Sequence, residues 1–84
     1  MDVIDASKAK EVRAHWEKRD VKMVARINRL IDDIKKHPFT GIGKPEPLRF
    51  DQKGYWSRRI DREHRLVYKV ANDTIFVAQC RYHY

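Results

Sequence analysis

Eighty-four residues suffice for one domain with a small core, because a chain this short buries only about 60–65% of the surface its unfolded form exposes. With 42% apolar and 11% aromatic residues the chain reads as globular, not disordered. Nineteen Lys and Arg against twelve Asp and Glu leave a net charge of +7 and a pI near 9.8. That excess favours a polyanionic partner such as nucleic acid, with a merely basic soluble surface as the plainer alternative. The single cysteine, Cys80, excludes an internal disulfide, and its apolar surroundings suggest a buried, inert thiol in a reducing cytosol. No apolar run approaches the roughly 20 residues that cross a bilayer, and the opening residues lack the apolar stretch of a signal peptide. The expectation is a cytoplasmic protein with no membrane contact.

In chain order, Val3-Ile4 allows only a short first strand. Ser7 is placed to cap a helix running to about Arg19, with Ala9, Val12 and Trp16 at helical spacing. Asp20 suits the N-cap of a second helix, in which Met23, Val24, Ile27, Leu30, Ile31 and Ile34 form one apolar stripe. That stripe is core, not a cofactor site. Pro38 ends the helix by forcing His37 out of helical geometry. Residues 38–54 hold all three prolines and all three glycines and read as a long connection. Strands are expected at about 55–60, 64–70 and 74–81, with Asp61-Arg62-Glu63 and Ala71-Asn72-Asp73 in the hairpin turns. The fold expected is α+β in a single domain spanning residues 1–84, with two N-terminal helices on one face of a small, twisted, mainly antiparallel sheet.

If the first hairpin pairs Arg59 with Arg65, then Ser57 faces Val67 and Tyr55 faces Lys69. Both arginines then project from one face. A phosphate would relieve their repulsion, although two solvated surface arginines would give the same pattern. The opposite parity, Trp56, Ile60, Leu66, Tyr68, Val70, Phe76, Ala78 and Cys80, should face the helices. His83 shares parity with Arg81, Gln79 and Val77, and a pairing near Val70 and Thr74 would bring it towards the arginines. A histidine is the side chain type suited to protonating a leaving oxygen near neutral pH, so His83 could do so, or simply be a surface group near the C-terminus. Glu46, stiffened between Pro45 and Pro47, suits a positioned base or a surface carboxylate in a rigid turn. Gly41-Ile42-Gly43-Lys44 lacks the spacing of a P-loop, Cys80 and His83 make only half a zinc site, and no carboxylate cluster suggests a two-metal nuclease. No cofactor or metal is expected. A phosphodiester cut by side chains alone implies RNA, whose own 2′-hydroxyl can act as the nucleophile.

Lys44-Pro45-Glu46-Pro47-Leu48, Trp56-Ser57-Arg58-Arg59-Ile60, Glu63-His64-Arg65-Leu66-Val67-Tyr68 and Arg81-Tyr82-His83-Tyr84 together closely resemble the YoeB toxin family of the RelE/ParE superfamily. Pro38-Phe39 with Gly41 and Gly43 fits the same pattern, and the likeness runs from about Trp16 to the C-terminus. The resemblance implies a RelE-like microbial RNase fold and the toxin of a type II toxin–antitoxin system. It further implies an endonuclease that cuts mRNA in the A site of the ribosome, on the 30S subunit or the 70S particle, and is neutralised by a YefM-like antitoxin. It leaves room for a homodimer. By position it makes Glu46 the general base, Arg65 the transition-state cation and His83 the general acid. Arg59, Lys44 and Arg49 would be supporting RNA contacts, and Tyr84 would orient the substrate. Arg49 stands where the family often has lysine, so the charge is kept. The first sixteen residues depart from the family's aromatic-rich pattern, with Asp5, Lys10 and Arg13. A non-catalytic ParE-like toxin and a basic RNA-binding module are the rival expectations.

Overall fold

The computed structural model describes residues 1–49 and 54–80. A first strand, β1 (Asp2–Asp5), precedes two helices, α1 (Ser7–Arg19) and α2 (Val21–Lys36). Four strands follow: β2 (Glu46–Pro47), β3 (Trp56–Arg59), β4 (Arg65–Ala71) and β5 (Thr74–Gln79). They form one sheet in the order β1-β5-β4-β3-β2. Among the described residues only the β1–β5 pairing is parallel, so the sheet is mainly antiparallel as expected.

Asp20 begins α2 as the sequence predicts, its carboxylate accepting from the Met23 N–H at 3.2 Å. The helix ends where Pro38 requires, with His37 at φ −139° and ψ 82°. Ser7 does not cap α1: the cap position is Ala6, with no side-chain cap bond. The Ala6 N–H donates to the Val77 carbonyl at 2.8 Å, which keeps that residue extended and starts the helix one residue earlier than the cap expectation. Asp5 and Arg13, in the atypical N-terminal segment, form an ion pair at 3.2 Å that ties β1 to α1.

Ile27, Leu30 and Ile34 of α2 are fully buried against Leu66, Tyr68, Ile75, Val77 and Cys80. Trp56, Ile60, Leu66, Tyr68, Val70 and Cys80 thus lie on or against the core as their parity predicts. The parity expected for β5 is wrong over most of its length. Ile75 and Val77 are its core residues, and Phe76 is exposed on the other face. The cause is a bulge: Tyr68 pairs with Val77, but Val67 pairs with Gln79, leaving Ala78 unmatched. One extra residue reverses the alternation, so Val77 and Gln79 do not share a face, and Cys80 returns to the helix side. Cys80 is fully buried, and burial pushes its thiol up to about 11. The first hairpin has the expected register, Arg59 opposite Arg65 and Ser57 opposite Val67. The second closes at Ala71 and Thr74 through Asn72 and Asp73, both at positive φ, as a two-residue hairpin turn demands.

Candidate active site

Within the expected long connection, Glu46-Pro47 adds to the sheet as an edge strand. Glu46 lies opposite Ser57, Pro47 opposite Trp56, and the Leu48 N–H donates to the Tyr55 carbonyl at 2.9 Å. An edge strand accommodates proline, because its missing N–H can lie on the side with no neighbouring strand. Glu46 is therefore held by strand pairing as well as by its two prolines, while its side chain stays exposed.

Cross-strand partners share a face, so the register arranges the outer face of the sheet, away from the helices, in transverse rows. One row is Arg59 and Arg65. The next is Glu46, Ser57, Val67 and Gln79 across β2, β3, β4 and β5. Arg65 reaches from the first row into the second. Its Nη1 donates to Ser57 Oγ at 3.3 Å and stands 4.0 Å from Glu46 Oε2. Beside it Arg59, Asp61, Arg62 and Arg65 line an open hollow of about 260 Å³. Asp61 is engaged in the hairpin turn, its Oδ1 accepting from the Glu63 and His64 N–H groups at 2.9 and 2.7 Å. The arrangement offers an oxyanion two guanidinium groups, with a proton acceptor next to them.

Of the residues proposed from sequence, Glu46, Arg59 and Arg65 come together. Lys44 and Arg49 flank β2 on either side, both exposed, Lys44 with φ +50°. His83 and Tyr84 lie outside the described residues, as does Arg81.

Sequence reasoning missed Arg58. Its parity puts it on the helix face between Trp56 and Ile60, where it is completely buried. A cation there must be matched. Its Nη1 donates to Asp33 Oδ2 at 2.6 Å and to the Ile42 carbonyl at 3.2 Å. Nη2 donates to the carbonyls of His37 and Thr40 at 2.5 and 2.7 Å, and Nε to Tyr68 Oη at 3.1 Å. Tyr68 in turn donates to the Pro38 carbonyl at 2.7 Å. Asp33 also accepts from the Ile42 N–H, and the Arg58 hydrogen bond above all holds its carboxyl below the usual value despite burial. The segment after α2 is thus wrapped around one buried guanidinium. At its end the Arg59 N–H donates to the Gly43 carbonyl at 2.6 Å, two residues before Pro45. The legible signal was the parity itself: a charged residue on the face assigned to the helices requires a partner set.

With this geometry in view, the relatives are informative. The family model of YoeB-like toxins of bacterial type II toxin–antitoxin systems matches residues 6–84. The YoeB toxin of Streptomyces coelicolor is 60% identical over 70 residues, 83% of either chain. A YoeB/ParE toxin from Agrobacterium tumefaciens has the same fold at a TM-score of 0.97 and 45% identity, covering 100% of both chains. YoeB of Staphylococcus aureus has been solved as a heterotetramer with YefM and as a dimer. At 42% identity it gives TM-scores of 0.94 and 0.95, covering 100% of this chain and 98% of that one. The chain belongs to the YoeB family of type II toxin–antitoxin toxins.

Proposed function

We propose that this toxin is a ribosome-dependent mRNA endonuclease working by acid–base chemistry through the RNA 2′-hydroxyl. The observation that carries the reading is the exposed Glu46 carboxylate held 4.0 Å from the Arg65 guanidinium, with Arg59 in the same row as Arg65. Binding alone does not call for a fixed carboxylate amid arginines that attract phosphate, whereas proton abstraction does. Glu46 takes the proton from the 2′-hydroxyl, and the 2′-oxygen attacks the adjacent phosphorus. Arg65, helped by Arg59, balances the charge that builds on the phosphoryl oxygens. The bond to the 5′-oxygen breaks, and His83 supplies the proton that oxygen needs. The products are a 2′,3′-cyclic phosphate and a 5′-hydroxyl. Lys44 and Arg49 contact flanking phosphates, and Tyr84 orients the substrate. Side chains do all of this without metal or cofactor.

The partners follow from the reading: mRNA in the ribosomal A site, a YefM-like antitoxin and a second copy of the toxin, all in the cytoplasm. S. aureus YoeB, solved with YefM and as a dimer, supports the last two. Among the described residues no helix is long and apolar enough to cross a membrane. Single-turnover cleavage of ribosome-bound message by Glu46→Gln and His83→Gln variants tests the acid–base pair. His83→Gln should slow cleavage by about 10²–10⁴ with folding intact, the usual size of general acid catalysis. Glu46→Gln should also be slowed, though less if a ribosomal group substitutes as base. Wild-type rates in His83→Gln would sink the mechanism.

A further inference from the structure

Beyond the arginine and glutamate rows, the outer face carries a third row. Ile4 pairs with Phe76, Phe76 with Lys69, and the Lys69 ammonium sits over the Tyr55 ring, 5.6 Å from its centroid. This row crosses β1, β5 and β4 and ends at Tyr55, the residue before β3. Successive rows on one face are two residues apart, about 7 Å, so Lys69 stands roughly 13 Å along β4 from Arg65. The row borders a hollow of about 360 Å³. Ala6, Ala71 and Ala78 line it together with the larger Ile4, Tyr55, Lys69 and Phe76. That volume is at the small end for a ligand pocket. Phe76 is 37% exposed and Ile4 51%, so apolar surface here stays open to solvent.

We propose that this row is a second nucleotide subsite for single-stranded RNA, with a base laid against Tyr55 and Phe76 and a phosphate beside Lys69. The inference rests on the nuclease reading and extends its substrate contacts by a nucleotide that does not react. Three features favour RNA over a protein occupant. A lysine lies at the centre of the row and, among the described residues, no carboxylate lines the hollow, whereas Lys is depleted from protein–protein interface cores. An aromatic ring beside a cation is how single strands are held without sequence preference. The row also lies on the same face as the two arginines, so a strand whose scissile phosphate lies at Arg65 meets a further cation, Lys69, roughly 13 Å along that face.

The test uses the full chain and ribosome-bound messages in which single nucleotides flanking the scissile one, on either side, are made abasic. One flanking abasic position should raise the half-saturating toxin concentration of the wild type about five- to a hundredfold, the range of a lost base–aromatic stack. Tyr55→Leu should show the same loss with the intact message and be indifferent to that abasic position. Lys69→Gln should lower the slope of affinity against salt by about one phosphate contact. The cleavage rate at saturation should not change in either variant. If Tyr55→Leu and Lys69→Gln bind intact message like the wild type, the subsite is overturned while the nuclease reading stands. If they change only self-association or antitoxin binding, the row is a protein contact and the proposal fails. A wild type that cleaves no ribosome-bound message would fell both readings together.

Discussion

Arg65 is the side chain on which the candidate chemistry turns, because it reaches both neighbours of interest, Ser57 at 3.3 Å and Glu46 at 4.0 Å. Its removal takes away a positioned donor for transition-state charge, which typically costs about 10²–10³ in rate. Arg65→Ala should therefore depress the chemical step by that factor and leave ribosome affinity nearly intact. Separate measurement of affinity and single-turnover rate across salt decides the matter. A loss confined to affinity would make Arg65 an electrostatic anchor. The pairing of Arg59 with Arg65 could be read from alternation alone, since both hairpin strands are regular there. Ser57 as the hydroxyl beneath Arg65 could not, because it depends on which way a long side chain bends. Arg58 escaped notice for a different reason: in a basic chain one more arginine looks like surface. Its burial depends on carbonyls supplied by a loop that sequence patterns describe only as a connection.

Among the elements, that loop and the β4–β5 hairpin were the least legible and matter most. Residues 37–43 have no regular structure, yet Arg58 holds the carbonyls of His37, Thr40 and Ile42, and Tyr68 that of Pro38. Gly41, at φ +111°, lies so close to Asp33 that any Cβ would strike its carboxylate. Gly41→Ala should lower stability by about 1–3 kcal/mol from backbone strain alone, with further loss from displacing Asp33. Asp33→Asn probes the same network through pH. The folded carboxyl titrates below its ordinary value of 3.8, so its contribution is fully present above that pH and fades as pH falls through the lower folded value. The wild type should exceed Asp33→Asn by about 2 kcal/mol near neutrality, the scale of a hydrogen bond to a charged group. That margin should shrink below pH 3.8. Denaturant unfolding across pH would show it, and a constant margin would remove Asp33 from the network. The helices were readable because α2 has a strict apolar stripe, whereas β5 misled because a bulge leaves no mark in a short apolar strand.

For the molecule as a whole, a charge of +7 over 84 residues favours acidic and polyanionic partners. A YefM-like antitoxin that neutralises the site should lay an acidic segment over the Arg59–Arg65 row, so its binding should weaken as salt rises. Arg59→Ala should reduce both the affinity and its salt dependence. Calorimetric titration at several salt concentrations would reveal this, and salt-independent binding would place the antitoxin elsewhere. The family and the two-helix-on-sheet fold were both legible in the sequence, the first from four local motifs and the second from periodicity. The 2′-hydroxyl as nucleophile is the central claim, and a message with a single 2′-deoxynucleotide at the scissile position tests it most directly. On programmed ribosomes the wild-type toxin should cut the all-ribose message to a 2′,3′-cyclic phosphate and a 5′-hydroxyl, and leave the substituted one whole at that position. Cleavage of the deoxy-substituted message at the same bond would contradict the mechanism, because the attacking oxygen would then have to come from somewhere other than the RNA.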